Sequence, residues 1–363
     1  MSETAPGVTM DPCEDLAADL EKFSIHSPTS FTFGSEAPID VRMLQMSAEW
    51  GGAMPQASMV SGGSGADPLV RAVQAKLYDR CYAQRSGDQA TIPTQSQVSS
   101  QLSDSDFARR LVAANAGRER WDKGWAIHQF GPNGQAFVRK GDRERVAMPG
   151  SFIFDGTPGM APQIGATVSL RVPHDTFDVQ PGYYFAFGDA LDELADQLTL
   201  VRLYFNCGPE SGVLLMTELT AALNRFQTPF QLKTPATPAL YARTDAAVLY
   251  IGARYFPIVA RIVASVLVKV PVETATPLFT KRLWPGVGAA VEPGSGESFG
   301  SHRCRLTAEG IVDAWRQGGE QETFKRMAAV AARFAAAGLD LQRPWVGPGG
   351  VDPFTMPEPA RLP

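Results

Sequence analysis

Histidine and cysteine are both scarce, with four of each in 363 residues, and none of the eight stands at a metal-ligand spacing. Cys13, Cys81, Cys207 and Cys304 are too scattered for a disulfide framework and read as reduced thiols of a cytoplasmic protein. The dispersed histidines speak against a zinc or non-haem iron site. Long apolar runs are missing too: none approaches the roughly 20 residues that span a bilayer. The longest, Val259–Val270, is broken by Arg261 and Lys269 and reads as a core helix. Met1–Leu16 is acidic and lacks the apolar region of a signal peptide. A broad basic surface is lacking as well. The net charge is −5, and residues 1–66 hold nine acidic and two basic side chains, so the remainder is nearly balanced. That excludes a nucleic-acid binder working through the phosphate backbone. Also absent are the Gly-x-x-x-x-Gly-Lys-Ser/Thr loop, a kinase signature and the Gly-x-Ser-x-Gly elbow, and with them any visible means of binding ATP or forming an acyl-enzyme.

Composition and periodicity divide the chain into four parts. Residues 1–66 form an acidic, loosely structured extension containing the flexible linker Ser61–Gly65 and a short amphipathic helix over Asp11–Phe23, either a docking element or a solvated arm. Residues 67–180 form a small helical and antiparallel β region. Its helices fall at Asp67–Arg85 and Asp106–Asn115, separated by a polar loop over Gly87–Ser105. Its strands fall at Trp125–Phe130, Ala136–Lys140, Ser151–Phe154 and Thr167–Val172.

Residues 181–340 read as the α+β core. Strands at Gly182–Phe187, Leu198–Cys207, Thr228–Lys233 and Ala246–Ile251 alternate with helices at Gly212–Phe226 and Phe256–Val268. This order predicts an α+β fold with a mixed sheet and helices packed on one face. A Pro-rich stretch, Pro271–Pro293, is expected to cross the surface before helices at Thr307–Gln317 and Gln321–Ala337. Residues 341–363 form a Pro/Gly-rich tail extended over the body.

Within the core, Arg202, Lys233 and Arg243 interrupt apolar, β-prone runs. Desolvating a cation without a partner costs several kcal/mol, so three in one strand-rich core suggest a bound anion. Lys233 ends a strand, where neighbouring cations lower a lysine pKa and make it a general base; a snorkelling surface lysine fits the same spacing. Arg202, Tyr204 and Asn206 alternate on one strand and share a face, either to bind an oxyanion or as a polar cross-strand ladder. Arg243 and Asp245 stand two apart, as in a structural pair or a guanidinium fixed for bidentate phosphate contact. Ser298-Phe299-Gly300-Ser301-His302-Arg303 has the make-up of an anion nest and equally of a generic turn. Thr280, Lys281 and Arg282 add a further polar cluster.

Five segments together resemble the HopA effector-like family. They are Pro181-Gly182-Tyr183-Tyr184-Phe185-Ala186-Phe187-Gly188, Arg202-Leu203-Tyr204-Phe205-Asn206, Pro229-Phe230-Gln231-Leu232-Lys233, Arg243 to Tyr250, and Glu297 to Cys304. That family includes type III effectors of plant pathogens and companion proteins of small kinases in thioamitide and class V lanthipeptide maturation. The resemblance covers roughly Asp67 to Ala337. It implies a lyase that eliminates phosphate from a kinase-phosphorylated precursor peptide, leaving dehydroalanine or dehydrobutyrine. A more distant similarity to phosphothreonine lyases implies Lys233 as the base. Arg202 and Tyr204 fall where those enzymes carry a lysine and a histidine, so the acid is either Tyr204 or His302. Arg243 and Arg303, with Arg202, would hold the phosphate, with Asp245 orienting Arg243 and Asn206 and Ser298 adding contacts.

The mechanism so implied needs no metal or organic cofactor. Its partners are the phosphorylated precursor peptide and a kinase, with no nucleic acid and no membrane. The alternatives are a non-catalytic phosphopeptide-binding partner of a kinase and a type III effector acting on a host protein.

Overall fold

The computed structural model describes residues 12–43, 67–83, 105–156, 161–318 and 322–356. Among them no helix is long and apolar enough to cross a membrane. Helix α1 (Pro12–Leu20) leads into strands β1 (Phe23–Ser27), β2 (Ser30–Phe33) and β3 (Ile39–Asp40), a three-stranded antiparallel sheet. Residues 12–43 are therefore folded, against the expected loose extension. Leu16, Leu20, Phe23 and Phe31 are fully buried against the C-terminal helices, enough apolar surface to offset the cost of ordering this segment. The Ser61–Gly65 linker lies outside the described residues.

Helix α2 (Pro68–Leu77) starts where Asp67 accepts the Leu69 N–H at 2.8 Å and Pro68 supplies a preset φ. It continues into a π-helical turn, Tyr78–Ala83. Ser105 caps α3 (Asp106–Ala114) through the Ala108 N–H. A five-stranded antiparallel sheet follows, from β4 (Arg120–Phe130), β5 (Ala136–Lys140), β6 (Arg143–Ala147), β7 (Phe152–Phe154) and β8 (Thr167–Val172), in the order β6-β5-β4-β8-β7. Strand β6 was not expected: its pattern is mostly exposed, so alternation does not mark it.

The core sheet takes β9 (Asp175–Thr176), β10 (Tyr183–Phe187), β11 (Leu200–Phe205), β12 (Gln231–Pro235), β13 (Ala247–Gly252), β14 (Lys281–Trp284) and β15 (Val287–Val291). Its order is β14-β15-β11-β13-β12-β10-β9, antiparallel throughout. Interleaved with it are α4 (Leu194–Leu198), α5 (Pro209–Arg225) and α6 (Phe256–Leu267), and after it come α7 (Phe299–Arg316) and α8 (Thr323–Ala336). The fold is α+β, as expected, but the core sheet is antiparallel where a mixed sheet was expected, because each pair of neighbouring strands runs in opposite directions.

Period two sorts the strands. Val201, Leu203, Phe205, Leu232, Leu249 and Ile251 meet α3, α5 and α6 in a dry layer. Leu214 of α5 faces outward. The other face carries Arg202, Tyr204, Lys233, Val248 and Tyr250. Tyr204, Val248 and Ala290 pack against α2 and α7, so helices cover part of the second face as well as the first.

Two further readings change. Pro271–Pro293 contains the hairpin β14–β15, turned by Pro285 and Gly286 (φ +71°), rather than a surface crossing. Its prolines flank the strands, and β15 pairs with β11 deep in the sheet. Helix α7 begins at Phe299, not Thr307. Ser298 is its N-cap, and Gly300 is helical where any Cβ would meet the Tyr82 ring at 2.4 Å.

Candidate functional site

Adjacent strands align the second face in rows. Lys233 stands across from Val248, which stands across from Tyr204, and two residues along the strands lies the row Gln231–Tyr250–Arg202. Because α2 and α7 cover the sheet only in part, these rows, Gln231 apart, floor an open cleft of about 620 Å3. The π-helical turn forms one wall. Tyr78 and Tyr82, one turn apart, stack with centroids at 5.1 Å and bring both rings to the cleft. The N-terminus of α7 forms another, through Ser298, Gly300 and Ser301.

Arg243 is 6% exposed and lies in a fixed fork. Its Nε donates to Asp245 Oδ1 at 2.8 Å, and its Nη2 donates to Asp245 Oδ2 at 3.0 Å and to the Tyr78 hydroxyl at 3.1 Å. Burial opposes the charge, but Asp245, Tyr183 and Tyr78 outweigh it and hold the guanidinium firmly protonated. Arg202 pairs with Glu292 through Nε and lies over the Tyr250 ring, 5.0 Å from its centroid. At the cleft's mouth Glu297 is neutralised by Arg305, with contacts of 2.9–3.1 Å.

Lys233 stands outside these ion pairs. Its Nζ rests 3.9 Å from the centroid of Tyr183. Desolvation pulls its pKa down to about 7; Arg243 and Arg202 push the same way, and Asp245 opposes them. An amine with this pKa is substantially unprotonated at neutral pH and accepts a proton. Tyr204 is 2% exposed and its hydroxyl lies beside that of Tyr82, short of a well-formed hydrogen bond. Burial raises the pKa of Tyr204, Tyr82 and Tyr78, so all three stay protonated as donors. Ser301 is 1% exposed, lines the cleft, and has a hydroxyl with no hydrogen-bond partner among the described residues. It sits in the first turn of α7, where backbone N–H groups and the helix dipole favour an anion.

The structure thus brings together Lys233, Tyr204, Arg202, Arg243, Asp245 and Ser298. It sends the other three expected residues elsewhere. Arg303 is 1% exposed and ties α7 to the tail: Nε donates to the Pro344 carbonyl at 2.7 Å and Nη2 to that of Val346 at 3.1 Å. His302 lies outside the cleft, with its Nδ1 accepting from Arg303 Nη1 at 2.7 Å. Burial, then Arg303 and Arg305, lower its pKa to about 4, so it is neutral at pH 7 and has no acidic proton to give. Asn206 turns at the end of β11 and donates to the Ala275 carbonyl at 3.0 Å. Lys281 of the further polar cluster pairs with Asp352, at 2.7 Å.

Sequence reasoning missed Tyr78, Tyr82, Tyr183, Tyr250 and Glu292. Five of the eight tyrosines line this cleft. The i, i+4 spacing of Tyr78 and Tyr82 marked a shared helical face, though not what that face meets.

Residues 175–346 match the profile of the HopA1 effector protein family, so the family resemblance read from the sequence holds over this segment. It contains every cleft residue named above except Tyr78 and Tyr82. Among solved structures, the chain is similar to the effector protein from Pseudomonas syringae pv. tomato strain DC3000. Identity there is 16%, covering 84% of this chain and 97% of that one, with a TM-score of 0.38. It is also similar to the effector protein from Pseudomonas syringae pv. syringae strain 61, with 14% identity, 84% and 94% coverage and a TM-score of 0.38. No curated protein matches.

Proposed function

We propose that this chain is a phosphoserine/phosphothreonine lyase acting on a kinase-phosphorylated precursor peptide. The observation that carries the reading is Lys233, an amine tuned to about pH 7 in a cleft lined by guanidinium, phenol and hydroxyl groups. The neutral Lys233 amine takes the proton from Cα of the phosphorylated residue. The electron pair left on Cα is stabilised by the positive charge of Arg243 and Arg202 around the adjoining carbonyl. It then forms the Cα–Cβ double bond as the Cβ–O bond breaks, and phosphate departs with that bonding pair. Ser301, Ser298 and the first-turn amides of α7 hold the departing phosphate, and Tyr204 donates a proton to its bridging oxygen. The product is dehydroalanine or dehydrobutyrine. A cytoplasmic setting and a partner kinase that supplies the phosphopeptide complete this reading.

The family's effector designation favours a second reading, in which the same cleft grips a phosphorylated or acidic group of a host protein without chemistry. The two separate in one experiment. Purified protein is incubated with a phosphothreonine peptide, without ATP, and the peptide mass is followed. Loss of one phosphoric acid, abolished in a folded Lys233→Ala variant, supports the lyase. Normal elimination by Lys233→Ala overturns the lysine base. Binding without mass loss supports the second reading.

A further inference from the structure

A second cleft, of about 670 Å3, adjoins the first and shares Arg202, Tyr250 and Glu292 with it. It lies where the small five-stranded sheet meets the core sheet. Its carboxylates are already engaged. Glu292 pairs with Arg202, Asp192 accepts from Gln197 at 2.7 Å, and Asp196 pairs with Arg254 at 2.7 Å.

Its other cations are not so engaged. Arg120 donates from Nη1 to the Gly188 carbonyl at 3.1 Å, while its Nη2 is shut off from solvent without a hydrogen-bond partner. Arg145 stands exposed at the rim. Among the described residues neither arginine forms an ion pair; burial lowers the pKa of Arg120, and the nearby carboxylates of Asp189 and Asp122 only partly oppose it. Arg120 lines the cleft half-buried and without an ion pair, so its guanidinium gains from a carboxylate that a ligand brings to its cleft-facing side.

We propose that this second cleft binds an aspartate or glutamate side chain of the same peptide whose phosphorylated residue occupies the tyrosine-lined cleft. The proposal rests on the phosphopeptide reading and deepens it by naming a specificity element. The spacing follows from the strands. Lys233 pairs with Phe185 on β10, and the Gly188 carbonyl that anchors Arg120 lies three residues beyond Phe185. That separation is on the order of 10 Å, which an extended peptide covers in roughly three residues. The acidic residue therefore belongs about three or four positions from the phosphorylated one, and the shared Arg202 sits between the two sites.

The test uses the full chain carrying Lys233→Ala, so that bound peptide is not consumed, and fluorescence anisotropy as the readout. The probes are labelled phosphothreonine peptides with one glutamate three or four positions to either side, each matched to its glutamine counterpart. One glutamate register is expected to bind about tenfold more tightly than glutamine, the effect of one charge-assisted contact. Adding Arg120→Gln and Arg145→Gln should erase that preference while leaving the glutamine peptide's affinity unchanged. Arg145→Gln alone, at an exposed position, should halve the effect or more if the Arg120 variant fails to fold. Equal affinities across all registers, or a preference that survives both substitutions, overturns the proposal while leaving the lyase intact. Glutamate-dependent binding without elimination by the unmodified chain supports the subsite and sinks the lyase. No binding of any phosphopeptide overturns both.

Discussion

The two faces of the core sheet are built from the same strands, alternate residues going to each, yet they answer to different chemistry. On β11, Val201, Leu203 and Phe205 enter a dry layer under α5 and α6, while Arg202 and Tyr204 face the cleft. On β13, Leu249 and Ile251 go one way and Tyr250 the other. The dry face gains from removing apolar area from water, roughly 1.5–3 kcal/mol for each large side chain. The cleft face spends part of that gain: it desolvates Lys233, Arg202 and Arg243 and leaves the Ser301 hydroxyl unsatisfied. Apolar packing and charged side chains therefore alternate along one strand, although Tyr204 and Val248 of the cleft face also pack against α2 and α7.

The sharpest way to break this contrast is Lys233→Met. It should lower phosphopeptide elimination by about 10²–10⁴-fold, the usual worth of a positioned base, measured by mass spectrometry. The same substitution should raise the thermal midpoint at pH 7, because it removes a cation that the fold holds against desolvation. On the opposite face, Leu249→Ala should cost about 2–5 kcal/mol in denaturant unfolding while the folded fraction keeps its turnover.

Next comes pH. A lysine with a folded pKa near 7 must be unprotonated to act, so kcat/KM should rise with pH through about 7 and level off above it. The linked stability has its own sign. Between the folded value and the ordinary lysine value the unfolded chain binds more protons. Lys233 therefore carries a desolvation cost that shrinks as pH rises across that window, and Lys233→Met should remove this pH dependence. Urea titrations at pH 6 and pH 9 on both proteins read the difference. The smallest effect is expected at His302: His302→Gln should leave the rate within about twofold, since this ring lies outside the cleft and is neutral at pH 7. A hundredfold loss there would restore histidine as the acid.

Much of the sheet was legible because strand alternation is local. The runs around Leu203, Leu232 and Leu249 announce a buried strand, and each polar residue between them announces its opposite face. That logic found Arg202, Tyr204 and Lys233. It could not find Tyr78 and Tyr82, which reach the cleft from a helix more than a hundred residues upstream in the chain. Arg303, read into the site from the turn composition and the family resemblance, is satisfied instead by the carbonyls of Pro344 and Val346, which no local pattern marks. The hairpin β14–β15 was hidden by its prolines, which punctuate the strands instead of interrupting them. The segment 12–43 was hidden by its acidic composition, although its apolar residues are what it buries.

The tail over residues 344–354 touches both layers. Trp345 packs against each of the two large apolar clusters and its carbonyl accepts the Val291 N–H at 2.8 Å. Phe354 meets Phe256 edge-on in the dry layer, with centroids at 5.1 Å. Wrapped this way around the β15 side of the sheet, eleven residues act as a clasp. The helices over the dry face and those over the cleft cannot peel away one at a time without first releasing it, so slow-exchanging amides on the two sides should open together, with a single free energy.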